Sequence, residues 1–369
     1  MKKTKYLAIT IILILFSVAF AGCRGSGAVA SSWPGISVDN NTAYVAFNQA
    51  VYTLDLQNDG RLKETLPVNV GDLRPRNPTF FHAPVLLDES TLLVGSYNNR
   101  MFTINLKTGN AEEFFNSARN RWIGRPLLAD GTIYAPNANG TLYALALNGS
   151  EKWSFETSAA IWATPVLDGN RIYTVSQNHN LYALNASNGN LIWTLDLGAT
   201  SVNSPVLDEN GVLYIGTFDS KVFAIDSERG SVLWQVDTID WVWGSPVLGP
   251  DGMLYATDLG ANLYAIDTAT KQIVWDKEVA PITSITGSPL LVGDTLVTAT
   301  QSGVVATYSL DGERLEKEEL STEETPIEFH GTPVMAGEDT ILVSSMGGDA
   351  VVYAFNTKLE VLWKFVPGK

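Results

Sequence analysis

The chain has 369 residues, of which 45% are hydrophobic and 17% charged, and this composition supports a large buried core and excludes a disordered chain. Its 39 acidic against 24 basic residues give a formal charge of −15, which argues against a broad surface for nucleic acid or anionic lipid headgroups. The single cysteine leaves no partner for an intrachain disulfide.

Residues 1–22 have the pattern of a secretory signal peptide. Lysines at positions 2, 3 and 5 precede an apolar run, LAITIILILFSVAFA (7–21), which is shorter than the roughly 20 residues of a spanning helix. The small residues before Cys23 resemble a bacterial lipobox, so we expect Cys23 to carry a lipid anchor on the outer membrane or cell surface. An ordinary secretory signal and an uncleaved anchor are the alternatives. Residues 23–32 are small and polar, as in a flexible tether.

From residue 33 to residue 369 the sequence repeats with a period of about 40 residues. Each copy opens with a proline followed by an apolar run, as in TPVL at 164–167 and SPVL at 204–207. The eight opening prolines are Pro34, Pro84, Pro126, Pro165, Pro205, Pro246, Pro289 and Pro333. A fixed period of this length indicates a repeat architecture.

Each copy contains four short strand patterns. In the copy that begins at residue 204 they are SPVLDE, GVLYIGTF, KVFAIDS and SVLWQVDT, separated by turns rich in Gly, Asn and Asp. No segment has a sustained helical periodicity. Eight such units predict an all-β fold, an eight-bladed β-propeller of four-stranded antiparallel blades over residues 33–369.

The blades resemble the PQQ-type, or quinoprotein-like, propeller repeat. In that repeat an Ala is followed by a Gly and then a Trp, with the spacing of Ala183, Gly189 and Trp193. The family's Trp docks against the turn of the neighbouring blade. The resemblance implies this structural role for Trp153, Trp193, Trp234, Trp275 and Trp363. Blades one, two and seven lack the Trp and have Lys63, Glu113 and Glu316 near that position.

Quinone-dependent dehydrogenases share this repeat and are one alternative function. They need charged and amide side chains around Ca²⁺ and the quinone, and many place a vicinal disulfide beside the cofactor. The single cysteine excludes that disulfide, and no C-x-x-C-H haem signature or metal-ligand spacing of histidines is present. We interpret His82 and His330, which both precede a strand-opening proline, as solvated loop ends. We therefore predict a protein that is not an enzyme and binds neither PQQ, Ca²⁺ nor another metal.

The face that carries the connections between blades is the expected interaction surface. In a four-stranded blade, the turn between the second and third strands opens on this same face. Aromatic residues precede most of the opening prolines here, and basic residues join them in the early blades, which is typical of interaction hot spots. The predicted partner-binding residues are Arg74, Arg76, Phe81, Trp122, Trp162, Trp241, Trp243 and Phe329. The alternative is that the aromatic side chains fill the axial channel.

Two insertions break the period. The first, VNVGDLRPRNPTFF at 68–81, is basic and rich in proline, and is a candidate binding loop. The second, ERLEKEELSTEETPIEF at 313–329, is charged, and we expect a solvated excursion there.

A lipobox, an eight-bladed propeller and the lack of quinone machinery together resemble the BamB type of outer-membrane protein assembly factor. The resemblance implies a scaffold that binds protein partners in a cell-envelope complex. In that type an N-terminal strand with a Trp completes the last blade, whereas here VLWKF at 361–365 supplies this strand and SSWPGI at 31–36 leads into blade one. A surface sensor or polysaccharide-binding propeller is a third interpretation.

Overall fold

The computed structural model describes residues 33–67 and 82–368. Within these ranges, eight antiparallel sheets follow one another along the chain, and each is built around four consecutive strands. The protein is an eight-bladed β-propeller, so the predicted fold class is confirmed. No helix in the described part of the chain has the length and apolar character needed to cross a bilayer.

The strands of blades one to four are β1 (Gly35–Asp39), β2 (Thr42–Phe47), β3 (Ala50–Asp55), β4 (Arg61–Pro67), β5 (Val85–Asp88), β6 (Thr91–Gly95), β7 (Met101–Asn105), β8 (Ala111–Phe115), β9 (Leu127–Ala129), β10 (Thr132–Pro136), β11 (Thr141–Ala146), β12 (Glu151–Glu156), β13 (Val166–Asp168), β14 (Arg171–Val175), β15 (Asn180–Asn185) and β16 (Leu191–Asp196).

The strands of blades five to eight are β17 (Val206–Leu207), β18 (Val212–Thr217), β19 (Lys221–Asp226), β20 (Ser231–Asp237), β21 (Val247–Leu248), β22 (Met253–Thr257), β23 (Asn262–Asp267), β24 (Gln272–Glu278), β25 (Leu290–Val292), β26 (Thr295–Ala299), β27 (Val304–Ser309), β28 (Arg314–Glu319), β29 (Ile327–Phe329), β30 (Val334–Ala336), β31 (Thr340–Gly347), β32 (Val352–Phe355) and β33 (Val361–Phe365). A short 3₁₀ turn, Pro250–Gly252, precedes β22.

The repeat Ala and Trp face each other across the third and fourth strands of a blade. In blade four, Ala183 pairs with Trp193, and the register shifts directly after this pair at a β-bulge. The small Ala side chain leaves room for the indole. In blades one and seven, which lack the Trp, a Thr pairs with a Glu at the equivalent position. In blade one the residue in place of the Trp is therefore Glu64 and not Lys63.

Each repeat Trp reaches into the following blade. An added Cβ at Gly230, in the last turn of blade five, would lie 2.5 Å from the indole of Trp193, and Gly230 also has a φ of +66°. Both facts favour glycine there. The Trp193 Nε1–H donates to the carbonyl oxygen of Ser227 at 3.0 Å, and the Tyr173 hydroxyl donates to the same oxygen at 3.2 Å. Two aromatic donors of blade four thus converge on one carbonyl of blade five.

The same arrangement recurs around the ring. Trp153 packs on Gly189, Trp275 on Gly312 and Trp363 on Gly60. Lys271, with a φ of +63°, takes the place of the turn glycine in blade six. There Trp234 packs into the cluster shared by blades five and six, with its ring 5.8 Å from that of Tyr214. All five repeat tryptophans therefore lie between blades.

The core is divided among the interfaces between neighbouring blades. Within the described residues, each interface holds one cluster of buried apolar side chains. The cluster between blades eight and one combines Ile36 and Val45 with Leu342 and Phe365. Since this cluster joins the last blade to the first, the apolar packing is continuous around the ring.

The ring closes in the described residues without a strand shared between its ends. β33 is the outermost strand of blade eight, and β1 is the first strand of blade one, as the sequence indicated. Closure depends on side chains instead. Trp363 packs against Gly60, and Trp33 stacks on His330 with ring centroids 4.9 Å apart and planes inclined by 16°.

The charged segment 313–329 is more ordered than the solvated excursion that we expected. It begins with β28, the outermost strand of blade seven, and it ends with β29, which pairs with β31 of blade eight. Charged side chains on an exposed outer strand are a common protection against pairing with other chains. The other insertion, 68–81, lies outside the described residues.

Replacing Trp363 by Ala tests the closure. We expect the free energy of unfolding to fall by about 3 kcal/mol, because a large part of a core contact is removed. In a repeat architecture each unit contacts only its neighbours, so amide exchange should accelerate mainly in blades one and eight. Hydrogen-exchange mass spectrometry measures this directly.

Trp193→Ala is the matched control, because it removes the same contact from the interior of the ring. Its faster exchange should be confined to blades four and five. If both variants lose protection uniformly over all eight blades, closure at the junction of blades eight and one is not a separate contribution.

Candidate functional site

The connection into each blade is an extended segment whose side chains alternate between the core and the solvent. In blades three to seven, the residues two and four positions before the opening proline are buried, and those one, three and five positions before it are accessible. In blade six, Val242 and Gly244 are buried, whereas Trp241, Trp243 and Ser245 are accessible. Successive residues of an extended chain point to opposite sides, so the distance from the proline decides which aromatic residue is available.

Trp122 and Phe329 both lie four positions before their proline, and both are fully buried. Trp122 packs against Tyr143 with ring centroids 5.7 Å apart, and against Phe115 at 6.0 Å. The prediction that Trp122 and Phe329 contact a partner is therefore wrong for this structure. Their side chains point to the core side of the alternating segment.

Three of the predicted residues, Trp162, Trp241 and Trp243, lie an odd number of positions before their proline and are half-buried. Phe218, in the turn between β18 and β19, stacks on both Trp241 and Trp243. The ring centroids are 5.2 and 5.3 Å apart, and the planes are inclined by 11° and 26°. The turn of blade five and the connection into blade six thus build one aromatic group on the face that the sequence indicated.

Two exposed isoleucines lie on this face and were missed in the sequence. Ile239 and Ile282 both stand seven positions before a proline, in the connections into blades six and seven, and they are 68% and 105% exposed. Their odd distance from the proline is the signal that could have found them. We call the accessible apolar residues of this face the apolar rim: Trp162, Phe218, Ile239, Trp241, Trp243 and Ile282.

A buried carboxylate holds the loop that carries Trp241. Asp258, in the turn between β22 and β23, is fully buried. Its Oδ2 accepts hydrogen bonds from the Asp240 N–H at 2.9 Å and from the Tyr264 hydroxyl at 2.6 Å. The Tyr264 oxygen in turn accepts from the Ile239 N–H at 2.9 Å. Burial and the contact with Asp258 raise the pKa of Tyr264, so this hydroxyl remains a donor and the loop stays fixed.

A second polar and aromatic contact lies on the same face in the early blades. The Arg121 guanidinium is 5.0 Å from the centroid of the Tyr97 ring, a cation–π geometry. Burial raises the pKa of Tyr97. The predicted residues Arg74, Arg76 and Phe81 lie outside the described residues, as does Cys23.

His82 is not a solvated loop end, as the sequence had suggested, but a buried polar link within blade two. It lies two positions before Pro84, on the core side of its segment. Its Nε2 accepts a hydrogen bond from the Gly95 N–H at 3.1 Å, and Nδ1–H donates to the Ala83 carbonyl at 2.8 Å. Burial lowers its pKa from 6.5 to about 4, so the ring is neutral at pH 7.

His330 differs from His82 because it lies three positions before its proline and is half-buried. Its Nε2 is 2.7 Å from the Glu328 carboxylate.

The residue of blade five that corresponds to His82 is Asn203. Asn203 also lies two positions before a proline, and it exchanges two hydrogen bonds with Gly216.

The depressed pKa of His82 predicts a loss of stability in acid. Between pH 6.5 and pH 4 the unfolded chain binds a proton that the folded protein does not, so stability falls as the pH falls through this range. From pH 7 to pH 5 this one group should cost about 2 kcal/mol. In His82→Asn, which introduces the side chain that blade five has at the equivalent position, this part of the pH dependence should disappear.

Urea unfolding of both proteins at pH 7 and pH 5 measures the difference. The carboxylates titrate in both proteins, so their contribution to the pH dependence of the free energy of unfolding cancels in the comparison. An equal pH dependence in the wild type and in His82→Asn would contradict a neutral buried histidine.

The described residues contain no group of three or more His, Cys, Asp or Glu side chains that could hold a metal ion. Two surface cavities, of about 340 and 270 Å³, lie away from the apolar rim. The larger is lined by residues of β8 and by Gly149 and Glu151 of blade three, and the smaller by residues of blade one with Leu106.

The fold and the repeated contact between Trp and the next blade define a PQQ-type β-propeller protein. A family model described as outer membrane protein assembly factor BamB matches residues 48–161, 146–240 and 206–368. These overlapping matches extend over most of the chain. The chain belongs to this family.

Two relatives named outer membrane protein assembly factor BamB illustrate the similarity. That of Salmonella typhimurium is 39% identical over 93 residues, which are 25% of this chain and 23% of that protein. That of Moranella endobia is 25% identical over 213 residues, 53% of this chain and 52% of that protein. The chain thus matches at most 52% of the length of these two relatives.

Among solved structures, that of BamB from Moraxella catarrhalis superimposes with a TM-score of 0.62 at 18% identity, covering 78% of this chain and 91% of that chain. At this identity the similarity shows the fold alone.

Proposed function

We propose that this protein is an exported, lipid-anchored scaffold that binds protein partners during outer-membrane protein assembly, and that it catalyses no reaction itself. Membership of the family supports the assembly role. The single observation that carries partner binding is the apolar rim, since large apolar side chains are exposed there on loops that are held in place.

The rim has the composition and rigidity of a docking surface. Exposed Ile and half-buried Trp side chains on one face are hard to explain by packing, and apolar surfaces of this kind mark interaction sites. Asp258 and Tyr264 fix the backbone of the loop at Ile239 and Asp240, so little conformational entropy remains to be lost on binding. A partner with an apolar groove or an apolar loop fits this surface.

Replacing Ile282 by Asp is the sharpest test of the rim. The side chain is 105% exposed, so the fold loses nothing, while a charge enters the proposed interface. The tagged protein serves as bait for solubilised outer membranes of the source organism. We expect the amount of barrel-assembly proteins that it recovers to fall at least about tenfold in the variant. Trp241→Ala should have a similar effect. Quantitative immunoblotting measures both.

Leu147→Asp is the matched control. Leu147 is 51% exposed in the turn between β11 and β12, which opens on the opposite face, and this variant should recover the partners normally. Equal recovery by all variants would contradict docking at the rim.

Loss of glycan-array binding in Trp241→Ala would instead favour a polysaccharide-binding propeller. Dye reduction that requires added PQQ, Ca²⁺ and a substrate would contradict the absence of catalysis.

The lipid anchor is tested at Cys23. We expect Cys23→Ala to abolish incorporation of an alkyne-labelled fatty acid, because the thiol that would be acylated is gone. The protein should also move from the membrane fraction to the soluble extracytoplasmic fraction. Cys23→Ala that remains in the membrane fraction would favour an uncleaved N-terminal anchor.

A further inference from the structure

The eight residues that directly precede the opening prolines form a ring around the propeller axis, which we call the pre-proline ring. Its members are Trp33, Ala83, Arg125, Thr164, Ser204, Ser245, Ser288 and Thr332. Three hydrogen bonds join its members between neighbouring blades. The Thr164 N–H donates to Ser204 Oγ, the Ser204 N–H to Ser245 Oγ, and the Ser288 N–H to Thr332 Oγ1, each at 2.9 Å. These residues therefore surround a common channel, as expected for the innermost segments of a propeller.

Close backbone packing fixes the geometry of this ring. A Cβ added at Gly244 would lie 2.4 Å from the carbonyl oxygen of Gly287, and one at Gly287 would lie 2.7 Å from that of Gly331. Real Cβ atoms do not approach so closely. The innermost segments of blades six, seven and eight are thus in direct backbone contact, and the side chains of the pre-proline ring are preorganised.

Five consecutive members of the ring carry hydroxyl groups, the hydroxyl arc: Thr164, Ser204, Ser245, Ser288 and Thr332. The oxygens of Ser204, Ser245 and Thr332 already accept a backbone N–H from the neighbouring blade. Within the described part of the chain, none of the five hydroxyls donates to an acceptor. Because a hydroxyl has one donor, the arc is left with O–H groups to offer a ligand.

Arg125 supplies the only charge of the pre-proline ring, next to Thr164. Among the described residues its guanidinium forms no hydrogen bond or ion pair. The side chain is accessible to solvent, yet surrounding protein lowers its pKa by removing hydrating water. A side chain that projects into a channel is accessible to solvent and also loses part of its hydrating water to the surrounding protein. Arginine retains its charge in such a place. Glu328 is paired with His330 and is not a member of the ring.

We infer that the axial channel binds an oxyanion, a carboxylate or phosphate group, whose charge pairs with Arg125 and whose oxygens accept hydrogen bonds from the hydroxyl arc. The guanidinium matches the two oxygens of such a group in a fork. The absence of acidic residues from the ring contrasts with the chain as a whole, which has 39 acidic against 24 basic residues. This site shares no residue with the apolar rim, but it adjoins it, because Trp162 and Trp243 lie two positions before Thr164 and Ser245 on the accessible side of the same segments.

Isothermal titration of the purified protein tests the site with three probes. They are inorganic phosphate, a blocked peptide with a free C-terminal carboxylate, and the same peptide with an amidated C-terminus. Binding of phosphate identifies a small anion as the ligand, and binding of the free peptide but not the amide identifies a terminal carboxylate. Absence of binding by both phosphate and the free peptide, up to about 10 mM, overturns the inference.

Arg125→Gln should weaken binding at least about tenfold, and Arg125→Lys, which keeps the charge but not the fork, should weaken it less. Thr164→Val with Ser288→Ala removes two donors and no internal hydrogen bond, and should weaken binding severalfold. Arg61→Gln, on the outermost strand of blade one, is the charge-matched control and should bind normally. Unchanged affinity in Arg125→Gln, with an unchanged unfolding midpoint, also overturns the inference.

Discussion

The contact between an indole and a turn of the following blade is the interaction on which the rest of the structure depends. A single blade cannot cover its apolar faces, and each is stable only against its neighbours. A buried Trp removes about 200 Å² from water, worth roughly 5 kcal/mol at 25 cal/mol per Å². The hydrogen bonds of Trp193 and Tyr173 to Ser227 give this contact a direction, so that each blade selects one face of the next.

The fold could be predicted from the sequence because its determinants are local and repeated. An opening proline occurs in all eight copies and the repeat Trp in five of them, so deviations such as Lys271 do not obscure the pattern. What the spacing could not resolve was the bulge beside the Ala–Trp pair, which displaced the equivalent position in blade one from Lys63 to Glu64. A bulge is set by pairing between strands, and it leaves no fixed mark in the sequence.

The accessibility of the proposed partner-binding residues was predicted only in part. Trp122 and Phe329 were grouped with Trp241 and Trp243 because the aromatic type was considered without its distance from the proline, and the first two are buried. Asp258 and the hydroxyl arc were beyond sequence reasoning for a different reason. Asp258 acts through Asp240 and Tyr264, which the folding of blade six brings to it, and the members of the arc come from five blades. Residues 68–81 and the segment with Cys23 remain predictions.

Within residues 33–67 and 82–368 the ring closes through side chains and not through a shared strand, and this has a consequence for how freely the chain can be rearranged. Because each blade is formed by consecutive strands, the order in which the blades are connected is not needed to satisfy any backbone pairing. A circular permutant, opened at another connection between blades and joined between blades eight and one, would retain every interface cluster. The junction at which the ring is left open is therefore a property of connectivity, which evolution could change while keeping the same eight interfaces.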